Sequence, residues 1–148
     1  MLNQFCRYNN WANSLLLDTL MINSAFVPES SILLFSHIVN AQTRWVARIN
    51  GTSPSFGVWQ LHDLETCKTL LEESAKELTK LEQMVNIDMQ IIKYSTTTNV
   101  HFETSVADIL LHVFNHGTYH RAQITKELKQ YNIQPPSTDY IQFVRLQS

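Results

Sequence analysis

Three histidines, His112, His116 and His120, stand four residues apart. On a helix each such step turns a side chain by about 40° and climbs about 6 Å, so neighbouring members share a face. Two imidazoles at that spacing can close on one metal ion. His112 and His120 lie about 12 Å apart along such an axis, so all three cannot hold the same ion. The site therefore uses one pair and takes a further ligand from elsewhere.

His116 and His120 are the better pair. They border the apolar side formed by Leu110, Val113, Phe114, Gly117, Ile124 and Leu128. Gly117 costs roughly 1 kcal/mol relative to alanine in a helix interior, and a helix bears that where another backbone or a ligand must come close. His37 is the third ligand. It sits beside an earlier helical stripe, Leu34, Ile38, Ala41, Trp45 and Ile49. Alone, such a histidine is more often a hydrogen-bonded core residue, but a pair short of a ligand reverses the balance. His112 is left to hydrogen-bond a neighbour or to support the ligands from behind.

Three imidazoles leave a metal with open positions, as catalytic zinc keeps for water or substrate. The expected cofactor is one divalent transition metal per chain. Imidazole suits Zn, Ni, Fe or Cu comparably, with Zn or Ni foremost here. Gly117 follows His116, so there is no HExxH and no metalloprotease glutamate. GxSxG, glycine-rich phosphate loops, EF-hand spacing and the ExxH pairs of di-iron bundles are missing too. The competing reading makes the histidines capped core residues with no ion.

The chain has 148 residues, which suits one domain over 1–148. Charged residues make up only 16% and the net charge is −2, with no basic run. The electrostatic attraction that drives nucleic-acid binding is therefore missing, and no nucleic-acid partner is expected. The N-terminus lacks the pattern of a signal peptide, and the longest apolar run, 32–35, is far too short to span a bilayer. The expectation is a cytoplasmic protein with no membrane partner, its Cys6 and Cys67 reduced.

The remaining elements follow from periodicity and punctuation. Leu2, Phe5, Trp11, Ala12, Leu15, Leu16 and Leu20 predict a helix over 2–23. Its Asn9, Asn10 and Asn13 are either solvent-facing amides or a sign that Tyr8, Trp11 or Asn13 faces a pocket. Pro28 opens a second helix over 29–50, and Gly51 stops it. Residues 51–62 form a loop whose Phe56 and Trp59 suggest packing over the mouth of a site, with His62 at the surface. Asp63 caps a third helix over 64–85. Residues 87–103 are β-prone and turn-bearing, predicting a hairpin or an extended crossover. Ser105-x-x-Asp108 resembles a capping box opening the histidine helix, which runs to about Tyr131, with Asn132 as its stop. After Pro135-Pro136, residues 140–144 form a short final helix or strand. The fold class is all-α, a four-helix bundle with a long crossover between helices 3 and 4 that makes them non-sequential neighbours, and a short C-terminal element.

Read together, these residues match a known family. Tyr8-Asn-Asn-Trp-Ala-Asn13, then His37-Ile-Val-Asn-Ala-Gln42 running on to Trp45, Arg48 and Gly51, form two parts of the match. The more specific parts are Asn115-His-Gly-Thr-Tyr-His-Arg-Ala-Gln-Ile124 and the ending Pro135-Pro-Ser-Thr-Asp-Tyr-Ile-Gln-Phe143. Over nearly its whole length the chain resembles the DinB-like (damage-inducible) metal-binding four-helix bundles, also called the DinB/bacillithiol-transferase-like superfamily. The resemblance implies an up-down-down-up bundle and a mononuclear site at His37, His116 and His120. It implies a homodimer, and in some members transfer of a low-molecular-weight thiol to an electrophile. The expected function is a metal-dependent small-thiol S-transferase acting on a small-molecule substrate, with the thiol as cosubstrate. The alternatives are a metal-dependent hydrolase and a non-catalytic metal-binding or sensing module. Candidate supporting or pocket residues are His112, Arg121, Tyr8, Trp11 and Tyr140, with Asp139 beside them.

Overall fold

The computed structural model describes residues 1–148. Four long helices dominate: α1 (Leu2–Ile22), α2 (Glu29–Ile49), α3 (Leu64–Glu82) and α4 (Val106–Gln130). A 3₁₀ turn (Ile87–Met89) and strands β1 (Ile91–Ser95) and β2 (His101–Ser105) lie between α3 and α4. The final element, α5 (Tyr140–Leu146), is helical. The chain is thus mostly helical with one two-stranded antiparallel sheet, in which Ile91 faces Ser105 and Ser95 faces His101. That hairpin answers the open question over 87–103.

The termini obey their side-chain chemistry. Asp63 accepts the Thr66 amide at 2.7 Å, satisfying one of the free N–H groups at the start of α3. Ser105 accepts the Asp108 amide at 3.0 Å, while its hydroxyl donates to the Asp108 carboxylate at 2.7 Å. An aspartate is too short to reach back to the cap's own amide, so the reciprocal bond goes to the hydroxyl instead. Gly51 adopts φ +71 just past α2, and Asn132 adopts φ +57 just past α4. Helix α3 stops at Glu82, three residues short of expectation, and left-handed Asn86 turns the chain toward the sheet.

Each long helix packs mainly on two others: α1 on α3 and α4, and α2 on α3 and α4. Helices α3 and α4 are not a main packed pair, so the connection through the sheet does not make them neighbours. Side-chain partners fix the directions. Ser36 meets Cys67, Gln42 meets Ser74 and Asn50 meets Glu77, so α2 and α3 run parallel. Ser30 and Ser31 bond Glu127 while His37 faces His116, so α2 and α4 run antiparallel. Asn9 and Asn13 meet Arg121, whereas Leu16, Leu17 and Leu20 share a core with Ile124 and Leu128, so α1 and α4 run parallel.

The apolar core is divided. One half gathers Leu16, Leu20, Phe35, Val39, Leu71 and Leu128, and the other gathers Cys6, Val46, Leu78, Leu110 and Phe114. Between them lies a buried polar layer. Arg121 Nη1 donates to Asn13 at 2.7 Å and to Asn9 at 3.3 Å. Asn9 donates to Gln42 at 3.0 Å, Gln42 to Ser74 at 2.8 Å, and Ser74 to the Leu70 carbonyl at 2.7 Å. Asn9 and Asn13 are fully buried, so the solvent-facing reading of these amides is wrong. They exist to link helices.

Gly117 serves the same layer. A Cβ there would stand 2.8 Å from Arg121 Nη1 and 2.9 Å from Asn9 Oδ1, so side chains, not a backbone or ligand, need its space. Glycine to alanine in a helix interior ordinarily stabilises by about 1 kcal/mol. Here Gly117→Ala is expected to reverse the sign, losing about 1–3 kcal/mol through overpacking. Urea unfolding measures it, and a midpoint at or above that of the parent would show that the layer gives way freely.

Candidate metal centre

Helix α2 contributes His37 and helix α4 contributes His116 and His120, and their antiparallel packing brings the three rings together. Ligand-capable nitrogens of the trio all lie within 4.8 Å of one another. Ring centroids are 4.8 Å apart for His37 and His116, 4.7 Å for His37 and His120, and 4.5 Å for His116 and His120. His37 and His116 point their Nε2 atoms at each other, 3.1 Å apart. Two nitrogens at the usual 2.0–2.1 Å from one tetrahedral ion stand about 3.3 Å apart, so the pair is spaced as metal ligands are. The residues present fit a metal ion.

Neighbours set which nitrogen each ring offers. His37 Nδ1 lies 2.8 Å from the Val58 carbonyl, which only accepts, so Nδ1 carries the proton and Nε2 is left with its lone pair. His120 Nδ1 lies 2.7 Å from Gln123 Oε1, an oxygen that fixes that ring the same way. Such outer partners orient metal-binding histidines and raise their basicity. Burial pushes His116 down to about 4, helped by repulsion from His120, His37 and His112. His37 is lowered as well, chiefly by burial. Both are therefore neutral near pH 7, the form that ligates.

The 51–62 loop closes over the trio as its aromatic residues suggested. Trp59 lies flat on His37, centroids 3.7 Å apart and planes 5° from parallel, yet stays 54% exposed. Asn40, one helical turn beyond His37, clamps this loop. It donates to the Gln60 carbonyl at 2.8 Å and the Val58 carbonyl at 3.4 Å, and its oxygen meets His62 Nε2 at 2.8 Å. Reasoning from the sequence missed Asn40, Gln123 and the Val58 carbonyl. A signal existed for Gln123, which sits three residues after His120 and so on its face.

The other candidates lie elsewhere. His112 is exposed, with its ring 5.7 Å from His116 and 5.4 Å from Trp45, and it makes no hydrogen bond to the trio. Arg121 points into the polar layer, away from His120. Tyr8, Trp11 and Tyr140 form the seat of α5: Tyr140 stacks on Phe5 at 5.2 Å, Trp11 meets Phe143 at 5.6 Å, and the Tyr8 hydroxyl donates to the Thr138 carbonyl at 2.7 Å. Asp139 precedes α5. The aromatic cluster holds the tail and leaves the histidines to Trp59 and Tyr119, whose ring lies 5.0 Å from His120. Cys6 and Cys67 are free and buried, and burial raises both thiols, Cys6 to about 11.

A mostly helical chain that gathers three imidazoles from two antiparallel helices is one able to hold a transition-metal ion. The chain belongs to the DinB family, whose family model matches residues 27–147. It is similar to "Protein DinB" of Bacillus subtilis (strain 168), at 27% identity over 153 aligned positions covering 90% of this chain and 87% of that protein. The match takes in α2, the loop and α4, and so all three histidines.

The lowered His116 makes stability depend on pH in a definite direction. Between the unfolded value of about 6.5 and the folded value, the unfolded chain binds more protons, so the metal-free fold weakens as pH falls. The window runs from about 6.5 down to about 4. Urea midpoints of chelator-treated protein across that window are expected to decline, and to decline less in His116→Gln. Equal slopes in the two proteins would remove His116 as the cause.

Proposed function

We propose that the protein is a mononuclear metal protein, with one divalent transition ion (Zn or Ni foremost) held by His37, His116 and His120, and that it serves as a small-thiol S-transferase. The observation that carries the metal is the 3.1 Å approach of the His37 and His116 Nε2 atoms, with the His37 ring oriented from behind by the Val58 carbonyl. Family membership supports it. When bound, such an ion lowers the pKa of a coordinated thiol enough to deprotonate it near neutrality.

The chain's own groups do the rest. Val58 and Gln123 hold two imidazoles in the ligating tautomer, and Trp59 shields one face of His37 from water. Trp59 and Tyr119 are both partly exposed and flank the trio, offering flat apolar surface to a small electrophile. The cysteines are sequestered, so the attacking sulfur comes from a free thiol rather than from the protein. We read the four long helices as a single-domain up-down-down-up bundle, a reading that the parallel and antiparallel side-chain pairings support. We also propose self-association as a homodimer, with sedimentation equilibrium as the check.

Two measurements test the function. Metal analysis of untagged protein is expected to give one ion per chain and almost none in His120→Ala, with far-ultraviolet circular dichroism unchanged. Full occupancy in a His116/His120 double variant would eliminate the site. Metal-loaded protein incubated with a panel of small thiols and a chromogenic electrophile is then expected to give conjugate, lost in His120→Ala. Product formed without thiol would point to hydrolysis, and tight metal binding with no product to a non-catalytic role.

A further inference from the structure

On the side of α4 away from the histidines, residues 134–139 cross the helix and leave a cavity of about 450 Å³. Only two of its twelve lining residues are hydrophobic. Its wall carries Thr118, Thr125 and Ser137 hydroxyls, the Lys129 ammonium, the Asp139 carboxylate and Arg121.

Arg121 is the unusual member. It is 2% exposed, and no carboxylate comes within ion-pair distance of it. Its contacts are neutral: the Asn9 and Asn13 amide oxygens, the Thr118 hydroxyl at 3.0 Å and the Tyr8 ring, 5.4 Å from the guanidinium carbon. Its Nε has no hydrogen-bond partner. A buried cation without an opposite charge is costly unless something nearby balances it. Lys129 adds a second cation to the same wall, and neither forms an ion pair with Asp139. Two positive groups against one carboxylate leave the cavity one charge in excess.

We propose that this cavity binds a small monoanionic oxyanion, a carboxylate above all. Lys129 and the Thr125 and Ser137 hydroxyls contact it directly, while Arg121 supplies its charge from behind, through space. A dianion is disfavoured, because Asp139 stands on the same wall. The proposal is independent of the metal, since the cavity shares no residue with the histidine trio.

Titration with sodium acetate, ionic strength held constant with chloride, tests it on the full-length protein. Saturable amide chemical-shift changes are expected at Thr118, Thr125 and Ser137, and equally in His120→Ala. Lys129→Ala, at the surface end, is expected to fold normally and to bind acetate roughly threefold to tenfold more weakly, the loss expected of one charge-assisted contact. Thr125→Val is a second variant expected to weaken binding. Changes that do not saturate, an affinity unaltered by Lys129→Ala, or phosphate dianion binding more tightly than acetate would each overturn the proposal.

Discussion

The interaction on which the rest depends is the buried chain of hydrogen bonds from Arg121 through Asn9 and Gln42 to Ser74. It takes one member from each long helix. Apolar side chains alone tolerate a helix sliding by a turn, because leucine replaces leucine at little cost. A directional bond across the centre does not tolerate it, since a slipped helix leaves a buried donor or acceptor unmet at about 1–3 kcal/mol each. The layer therefore sets the axial register of all four helices. Register is what a three-residue site on two helices needs: His37 and His116 meet only if α2 and α4 stop sliding at one position.

The two faces of α4 divide the labour. His116 and His120 turn toward α2 and the loop, while Gly117 and Arg121 turn toward α1. Gly117 has no side chain because the guanidinium and the Asn9 amide occupy its place. The backbone entropy that a helical glycine costs is offset by a network that would otherwise not close. Residues adjacent in the motif thus carry different duties, and the sequence His-Gly-Thr-Tyr-His-Arg is a site and a register lock written over each other.

Much of this was legible from residue spacing, and the limits have physical causes. The four long helices, their caps and the His116/His120 pair depend on local periodicity, which a sequence displays directly. His37 followed from a ligand pair needing a third. The roles of Asn9 and Asn13 did not follow, because an amide suits water and a buried network equally, and only the partner decides. Of the residues expected at a pocket, Tyr8 lines the cavity beside α4, away from the histidines, while Trp11 and Tyr140 pack α5 against α1. Arg121 could have been placed: one residue past His120 on a helix turns about 100° away, off the histidine face. The Val58 carbonyl leaves no trace in residue type at all, since every residue owns one.

The parallel run of α2 and α3 carries a consequence of its own. Two parallel helices joined in sequence oblige the connection to travel back along the whole length already climbed, and here residues 50–63 make that journey. Their path lies across His37, so the cover over the histidines is a by-product of topology rather than an added part. Its anchors are side chains of α2: Ser36, His37, Asn40 and Arg44, with the Trp59 stack on His37. Between those anchors the return segment can change length and composition without disturbing any helix. A scaffold of this kind can exchange what it admits to its centre while the helices that build the centre stay fixed.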